Sequence, residues 1–334
     1  MNATHPSADP AVFVEHGERE AGLGYIWARM IAPEMAFEAQ RWRQAHARKR
    51  RHRLRGDAIM IAAPLLALIL AWSGATAWWL APAVAAGGIW LGLRLRRSRR
   101  VDGRRLRTLL IAAACEHLGG LTYQRVAARR VEFDHHVELA LVPRYGVALV
   151  EDFFAGSHRG QNFRMVEAQL LDGGRRVFHG LLVEIDLELG LTGSITVRHC
   201  RNDDRSALPG TGNLAHVPGS PVVLKSDPMF HRRFDIFAND EASARELLGP
   251  RFRAALMHLA DRWGATPWQT GHAWGKLMIA MPGEGDPFEP RSVATGTFDP
   301  AGDLRLLLEE LSLPYRIIDT FAGIDPDTGR RLRA

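Results

Sequence analysis

The sequence predicts an α+β protein: an N-terminal helix and a two-helix transmembrane hairpin, followed by a cytoplasmic domain with a largely antiparallel sheet and flanking helices. Two observations lead to this fold class. Residues 58–93 form an uncharged, strongly apolar run, and from about residue 121 short apolar or alternating segments are separated by Gly-rich turns. Because strand and helix signals do not alternate regularly after that point, the pattern favours α+β over a parallel α/β fold.

The charge distribution excludes a simple nucleic-acid-binding interpretation. The 334 residues carry a formal net charge of +6, which alone would suggest a nucleic-acid partner. The basic residues are concentrated in two blocks, 41–55 and 94–107, with eight Arg or Lys residues in each. In the rest of the chain acidic residues outnumber basic ones. The positive charge therefore flanks the apolar run, and we expect no nucleic-acid partner.

Residues 57–94 are predicted to be the transmembrane hairpin. As one helix, the 36 uncharged residues of the run would extend about 54 Å, which is too long for a hydrocarbon core of roughly 30 Å. Ser73-Gly74 supplies turn chemistry at the midpoint, and Trp72, Trp78 and Trp79 would lie at the far interface. A re-entrant hairpin and a buried helical hairpin are the alternatives.

The basic blocks predict the orientation of this hairpin. Positively charged segments stay in the cytoplasm, so a basic block at each end of the run requires an even number of spans. We therefore expect a protein with two membrane spans and both termini cytoplasmic. Gly88 and Gly92 form a small-xxx-small pair, which predicts close packing either of the two hairpin helices or of two copies of the chain as a homo-oligomer.

The arginines beside the hairpin are candidate ligands for the headgroups of anionic membrane lipid. Each cation near a membrane surface contributes about 1 kcal/mol of attraction to an anionic leaflet. The candidates are Arg50, Arg51, Arg53, Arg55, Arg94, Arg96, Arg97, Arg99 and Arg100.

The remaining segments follow from composition and periodicity. Residues 1–56 are predicted to be a helical, basic juxtamembrane segment, and residues 95–120 a basic amphipathic helix that ends at Gly119-Gly120. Residues 121–322 are predicted to form the α+β domain, and residues 323–334 a polar tail.

Local signals inside the predicted α+β domain specify several turns and helix ends. Gly173-Gly174 lies between two apolar segments and predicts a hairpin turn. Asn239 or Asp240 is expected to cap a helix that follows a strand, and Pro250 to open the next helix. Asp299-Pro300 predicts the cap and first turn of a helix near the C-terminus.

The sequence contains no recognisable motif for nucleotide binding, a serine nucleophile or a zinc protease, so we expect no catalytic residue, cofactor or metal. His135-His136 and His199-Cys200 could suggest a metal, but adjacent residues on a strand point to opposite faces. The segment with Arg159 and Arg164 is a candidate anion-binding loop, with Lys276 as a third cation; a plain turn is the alternative.

Three stretches carry a resemblance to a known family. They are Glu151-Asp152 through Gly156 with Phe163, Glu167 and Phe178-x-Gly180-Leu181; Asp227-Pro228-x-Phe230 with Phe234-x-Ile236-Phe237, Asp240, Ala244-Arg245-x-x-Leu248 and Pro250-x-Phe252; and Gly275-Lys276-Leu277-x-Ile279-Ala280-x-Pro282 with Phe288-Glu289-Pro290. In order and spacing, over roughly residues 120–320, the chain resembles the DUF3137 family of uncharacterised bacterial membrane proteins. The resemblance implies a bacterial inner-membrane location and a membrane-tethered cytoplasmic domain without an assigned activity. It also points weakly to a LemA-like membrane protein as partner, and it supplies no catalytic residues that could be carried over to this chain.

These observations predict a membrane-anchored scaffold or adaptor that binds a protein or a lipid headgroup at the inner leaflet. The alternative is an enzyme that acts on a membrane-associated substrate. That alternative requires a pocket in which polar groups converge, with Arg164, Glu167, Asp227 and Lys276 as the candidates.

Overall fold

The structure is a computed structural model of the whole chain. It describes residues 13–72, 79, 81–96, 103–125, 132–187, 193–199, 219–222, 227–263, 268–283, 285–295, 297–325 and 331. The chain divides into two compact units. The helical unit contains Phe13, Trp27–Leu110 and Pro290–Asp303, and the sheet unit contains Val14–Ile26, Ile111–Glu289 and Leu304–Ala334.

Eleven α-helices occur among the described residues, together with a 3-10 turn at Glu18–Glu20 and a π-helical turn at Trp27–Ile31. The helices are α1 (Leu23–Ile26), α2 (Ala32–Trp72), α3 (Ala81–Arg96), α4 (Arg104–Leu118), α5 (Asp134–Glu138), α6 (Pro228–Arg233), α7 (Glu241–Leu247), α8 (Pro250–Trp263), α9 (Arg291–Thr295), α10 (Pro300–Leu311) and α11 (Leu313–Phe321).

The transmembrane hairpin predicted from the sequence is wrong. Among the described residues, no helix combines the length and the apolar character that a membrane span requires. Helix α2 is long, but it begins at Ala32 and is polar and basic as far as Asp57, which leaves about 15 apolar residues. Helix α3 has about 13 uncharged residues before Arg94. A span needs about 20 such residues. The predicted two-span inner-membrane location is wrong for the same reason, and Ser73-Gly74 lies outside the described residues.

Helices α2 and α3 pack closely because glycines lie at their contact. A Cβ atom on Gly88 would lie 2.0 Å from the Cβ of Ala63, and one on Gly92 would lie 2.3 Å from Cγ of Met60. The helix axes can therefore approach only because both positions lack a side chain. The intrachain alternative for this pair is confirmed, whereas association of two copies through it stays a prediction.

Among its described residues, the sheet unit contains one nine-stranded sheet in which every neighbouring pair of strands is antiparallel, with the order β1-β2-β3-β4-β9-β8-β5-β7-β6. The strands are β1 (Thr122–Arg125), β2 (Val147–His158), β3 (Gln161–Asp172), β4 (Arg175–Asp186), β5 (Ile195–His199), β6 (Ser220–Pro221), β7 (Phe234–Ala238), β8 (Gln269–Ala273) and β9 (Lys276–Pro282). The predicted α+β class with a large antiparallel sheet is therefore confirmed, without the transmembrane hairpin.

Tight turns connect the long strands at the predicted place. Gly173 and Gly174 join β3 to β4 with φ values of 54° and 80°, a backbone region that glycine adopts without steric cost. The β8–β9 turn has the same backbone hand, with φ of 53° at Trp274 and 70° at Gly275. The Trp274 side chain is 56% exposed there and stacks on His135.

The predicted helix ends are also present. Asp240 accepts hydrogen bonds from the backbone amides of Ala242 and Ser243, so it is the cap of α7. Helix α8 begins at Pro250, whose missing amide donor is not needed in a first turn.

Helix α11 contacts β3, β4 and α8 and is buried along most of its length. Its Tyr315 ring packs on Phe163 of β3 with 5.0 Å between centroids, and the Tyr315 hydroxyl donates to the backbone oxygen of Gly119. Phe321, at the end of the helix, packs on Phe252 of α8. These contacts hold the C-terminal helices against the strands that carry the polar groups described next.

Candidate functional site

The three cations that the sequence singles out as candidate anion ligands are each paired with a carboxylate. Arg164 Nη2 lies 2.6 Å from Glu184 Oε1 on the neighbouring strand, and Lys276 Nζ lies 2.7 Å from Asp186 Oδ1. Arg159 donates to Asp319 of α11, which also contacts the neighbouring His158 ring. Because these carboxylates already neutralise the three cations, the geometry does not favour an anion site here.

The Arg164 pair continues into the core of the sheet unit. His136 is fully buried, and its Nδ1 lies 3.5 Å from Glu184 Oε1. Burial lowers the pKa of His136 to about 4, even though the Glu184 carboxylate favours the charged imidazole. His136 is thus neutral at physiological pH and fills the core beside a partly buried ion pair.

The four groups named for the enzyme alternative contact different partners. Arg164 and Lys276 are in the pairs above, and Asp227 lies 3.0 Å from Arg253 Nη1 and caps α6. Glu167 lies in a cluster of carboxylates whose meeting no sequence spacing predicts.

The arginines proposed for lipid headgroups are only partly described. Arg50, Arg51, Arg53 and Arg55 are exposed on α2, while Arg97, Arg99 and Arg100 lie outside the described residues. Arg94 lies over the ring of Trp90 at 5.2 Å, and Arg96 ends α3. Their binding to anionic lipid stays a prediction.

The carboxylate cluster consists of Glu151, Asp152, Glu167 and Asp286. A β-bulge between Val150 and Asp152 shifts the register of β2 against β3, which places Asp152 opposite Glu167. Bulges re-aim side chains in this way and are frequent next to functional sites. Asp286 comes from the loop after β9, so residues more than a hundred positions apart meet here.

Burial determines the protonation of this cluster. Glu167 is 1% exposed, and desolvation together with the negative charges of Asp286, Asp152 and Glu151 raises its pKa to about 9. A hydrogen bond between Glu167 and Asp152 also raises the pKa of Glu167. Oδ1 of Asp152 in addition accepts a hydrogen bond from the Tyr123 hydroxyl at 2.6 Å. At neutral pH Glu167 therefore retains its proton.

A histidine borders the cluster on its other side. The Nδ1 atom of His179 lies 2.9 Å from the backbone oxygen of Gly283, and its Nε2 lies 3.5 Å from Glu167 Oε1. Carboxylate oxygens of Glu151, Glu167 and Asp286 lie within 4.8 Å of one another. Such a set can share a proton, and its hard oxygen atoms are of the type that Ca²⁺ and Mg²⁺ prefer.

A cavity of about 130 Å³, here called the β9 cavity, adjoins the end of β9. Leu181 of β4 and Met281 of β9 contribute to its wall, and so does Trp268 just before β8. Gly285 and Pro287 also line it, and they are the chain neighbours of Asp286. The loop after β9 therefore borders both the β9 cavity and the carboxylate cluster.

The helical unit carries an exposed patch, here called the apolar helix surface. It consists of six side chains on the last turns of α2, each more than half exposed: Ile61, Leu65, Leu66, Leu68, Ile69 and Trp72. Single exposed apolar residues are normal, but a contiguous group is not, because monomeric proteins rarely expose patches beyond a few hundred Å².

A family model described as "Protein of unknown function (DUF3137)" matches residues 176–322. This part of the chain belongs to the DUF3137 family. The family assignment predicted from the sequence is confirmed, and the DUF3137 region begins in β4. No curated protein and no solved structure matches the chain. The DUF3137 region contains all the residues that line the β9 cavity. It also contains Asp286 of the carboxylate cluster and His179, which borders that cluster.

The carboxylate cluster was partly visible in the sequence. Glu151-Asp152 and Glu167 occur in the stretches that carry the family resemblance, but nothing in their spacing relates them to Asp286. The signal that could have located the site is a pair of adjacent acids inside an otherwise apolar strand, because such residues need either a bulge or a buried partner.

Proposed function

We propose that the chain is a scaffold protein without a catalytic activity of its own, which assembles by binding a second copy through the apolar helix surface. The observation that supports it is the exposure of that surface: Ile61, Leu65 and Leu68 are 65%, 55% and 59% exposed. Their spacing of four and three residues places them on one side of α2.

The chemistry of the surface favours a copy of itself as partner. No charged residue occurs between Asp57 and Arg94, so an apolar surface of one copy meets no charge on the other when two hairpins pack together. Two helical hairpins joined in this way form a four-helix arrangement, a common solution for apolar helix pairs. The neutralised cations of the sheet unit support the non-catalytic part of the proposal.

Sedimentation equilibrium of the full chain tests this proposal. We expect a dimer or larger oligomer for the wild type. The Leu65→Glu substitution should raise the dissociation constant of this oligomer by at least about tenfold, because two glutamates would have to be desolvated in the interface. Leu54→Glu is the matched control, because Leu54 is 58% exposed on the same helix but lies outside the apolar run.

A monomeric wild-type chain at high micromolar concentration would contradict the proposal. So would equal association of the Leu65→Glu and Leu54→Glu variants. Binding of the wild type to phospholipid vesicles without self-association would also contradict it, and would support the lipid contact predicted for the arginines.

A further inference from the structure

The turn between β8 and β9 contains a tryptophan where a small residue is expected. Trp274 and Gly275 are the two central residues of this hairpin turn, and their φ values, 53° and 70°, are both positive. Turns of this hand favour Asn, Asp or Gly at the first central position, because a bulky side chain is disfavoured at positive φ. The backbone of Trp274 is therefore strained, and residues held in this way cluster at binding sites and switch regions.

Contacts inside the chain account for only part of this arrangement. Arg159 has the same backbone hand, with φ of 48° in the β2–β3 turn, but its side chain forms an ion pair with Asp319 of α11. The Trp274 side chain is instead 56% exposed, and its ring stacks on His135 with 4.6 Å between centroids and 24° between planes. Because the imidazole covers one face of the indole, the exposed remainder of the ring is open to a partner.

The helix that carries His135 is acidic. Asp134 and Glu138 are the first and last residues of α5, and both are exposed. Glu138 lies three positions after His135 and therefore on the same side of the helix. In the part of the chain that the structure describes, neither carboxylate forms an ion pair. Lys276, the cation nearest to the turn in sequence, is neutralised by Asp186, so the surface beside the indole favours a positively charged partner.

The tryptophan and the carboxylates together select an arginine. A cation is attracted to the face of an aromatic ring, and the indole of tryptophan attracts it most strongly. The flat guanidinium of arginine stacks on such a ring and has further N–H groups that can donate to a carboxylate. A ring at the tip of a hairpin encloses nothing, so it suits a partner that brings its own surface. Tryptophan and arginine are also enriched among the residues that dominate protein–protein binding.

We propose that the β8–β9 turn and α5 form a docking surface, made of Trp274, Asp134 and Glu138, for an arginine-containing basic segment of a partner protein. The surface belongs to the sheet unit. It does not depend on the proposed association through the apolar helix surface, and either proposal can fail without the other.

Fluorescence anisotropy of two dye-labelled peptides with the full chain tests this proposal. The first is a hexapeptide of two glycines and four arginines, and the second has citrulline, an uncharged isostere, in place of each arginine. We expect the arginine peptide to bind at least about tenfold more tightly, because only its guanidinium groups gain charge-assisted hydrogen bonds. Equal binding of the two peptides, or binding of neither, would overturn the proposal.

The substitution Trp274→Asn removes the ring and preserves the turn, because Asn tolerates positive φ. The variant should fold with a melting temperature close to that of the wild type and bind the arginine peptide about tenfold more weakly, since one cation–π contact is lost. Trp79→Asn is the matched control: Trp79 is 65% exposed in the helical unit, and its loss should leave peptide binding unchanged. Wild-type affinity of the Trp274→Asn variant would overturn the proposal.

The substitution Glu138→Gln tests the acidic part of the surface. We expect about threefold weaker binding of the arginine peptide, the effect of one exposed ion pair. Asp172→Asn is the matched control, because it removes an exposed charge at the opposite end of β3 and β4 and should have no effect. An equal loss in both variants would show attraction by net charge alone and contradict this surface. Binding of anionic phospholipid vesicles by the wild type but not by Trp274→Asn would identify a membrane instead of a protein partner and overturn the proposal.

Discussion

Glu167 provides the sharpest test of the electrostatics in the sheet unit. Its pKa of about 9 lies far above its ordinary value of 4.5. Between these two pH values the folded chain holds a proton that the unfolded chain has released, so the free energy of unfolding falls as the pH rises. The ideal slope for one proton is about 1.4 kcal/mol per pH unit.

The substitution Glu167→Gln removes this titration while keeping the size and hydrogen-bonding capacity of the protonated acid. Because the carboxylates of Asp286 and Asp152 interact electrostatically with Glu167, part of the effect passes to those groups. We therefore expect the variant to gain about 2–4 kcal/mol relative to the wild type as the pH rises from 5 to 8. Near pH 5 the two proteins should have similar stability.

Urea unfolding followed by circular dichroism at several pH values measures this difference. EDTA in all samples keeps divalent cations out of the carboxylate cluster. Glu151→Gln is the matched control: Glu151 is the exposed member of the cluster, so its neutralisation should change the pH dependence much less. Parallel pH profiles for the wild type and Glu167→Gln would show that Glu167 is ionised in the folded protein, and the reasoning from burial would fail.

Two further predictions concern the core of the sheet unit and the α2–α3 contact. The pKa of His136, about 4, lies below its ordinary value of 6.5, so the unfolded chain takes up the proton first and stability is lost as the pH falls from 6.5 to 4. In the His136→Asn variant, this loss of stability should disappear from the pH dependence of urea unfolding. An unchanged pH dependence would show that His136 is not the group responsible. Gly88→Ala should lower the free energy of unfolding of the helical unit by about 1–3 kcal/mol, because its Cβ would overlap that of Ala63. Thermal unfolding measures this effect, with Gly87→Ala as the control, because a Cβ at Gly87 meets no atom within 4 Å and alanine favours the helix. Equal melting temperatures of the two variants would argue against the close contact.

Features that depend on neighbouring residues could be read from the sequence. The turn at Gly173-Gly174 and the cap at Asp240 require only a particular backbone conformation or one side-chain oxygen near a helix start. The start of α8 at Pro250 is of the same kind. Each is decided within a few residues, and the structure has all three as predicted.

Features that depend on register or on distant residues could not be read in this way. Arg164 and Lys276 looked available for an anion because their partners, Glu184 and Asp186, are opposite them only after β4 has paired with β3 and β9. The apolar run was interpreted by its total length, whereas α2 continues without a break from a basic segment into it. Hydropathy alone does not show where a helix begins.

The position of β4 in the sheet order has a consequence for work on isolated fragments. The DUF3137 region begins at residue 176, whereas β4 is bonded on one side to β3 and on the other to β9. A polypeptide cut at that boundary would keep β9 but leave the remaining eleven residues of β4 without their β3 partner, with unsatisfied backbone groups along a long, apolar edge. Exposed strand edges of this kind pair with other chains and cause aggregation. The smallest fragment worth expressing therefore starts before Thr122, upstream of the family boundary.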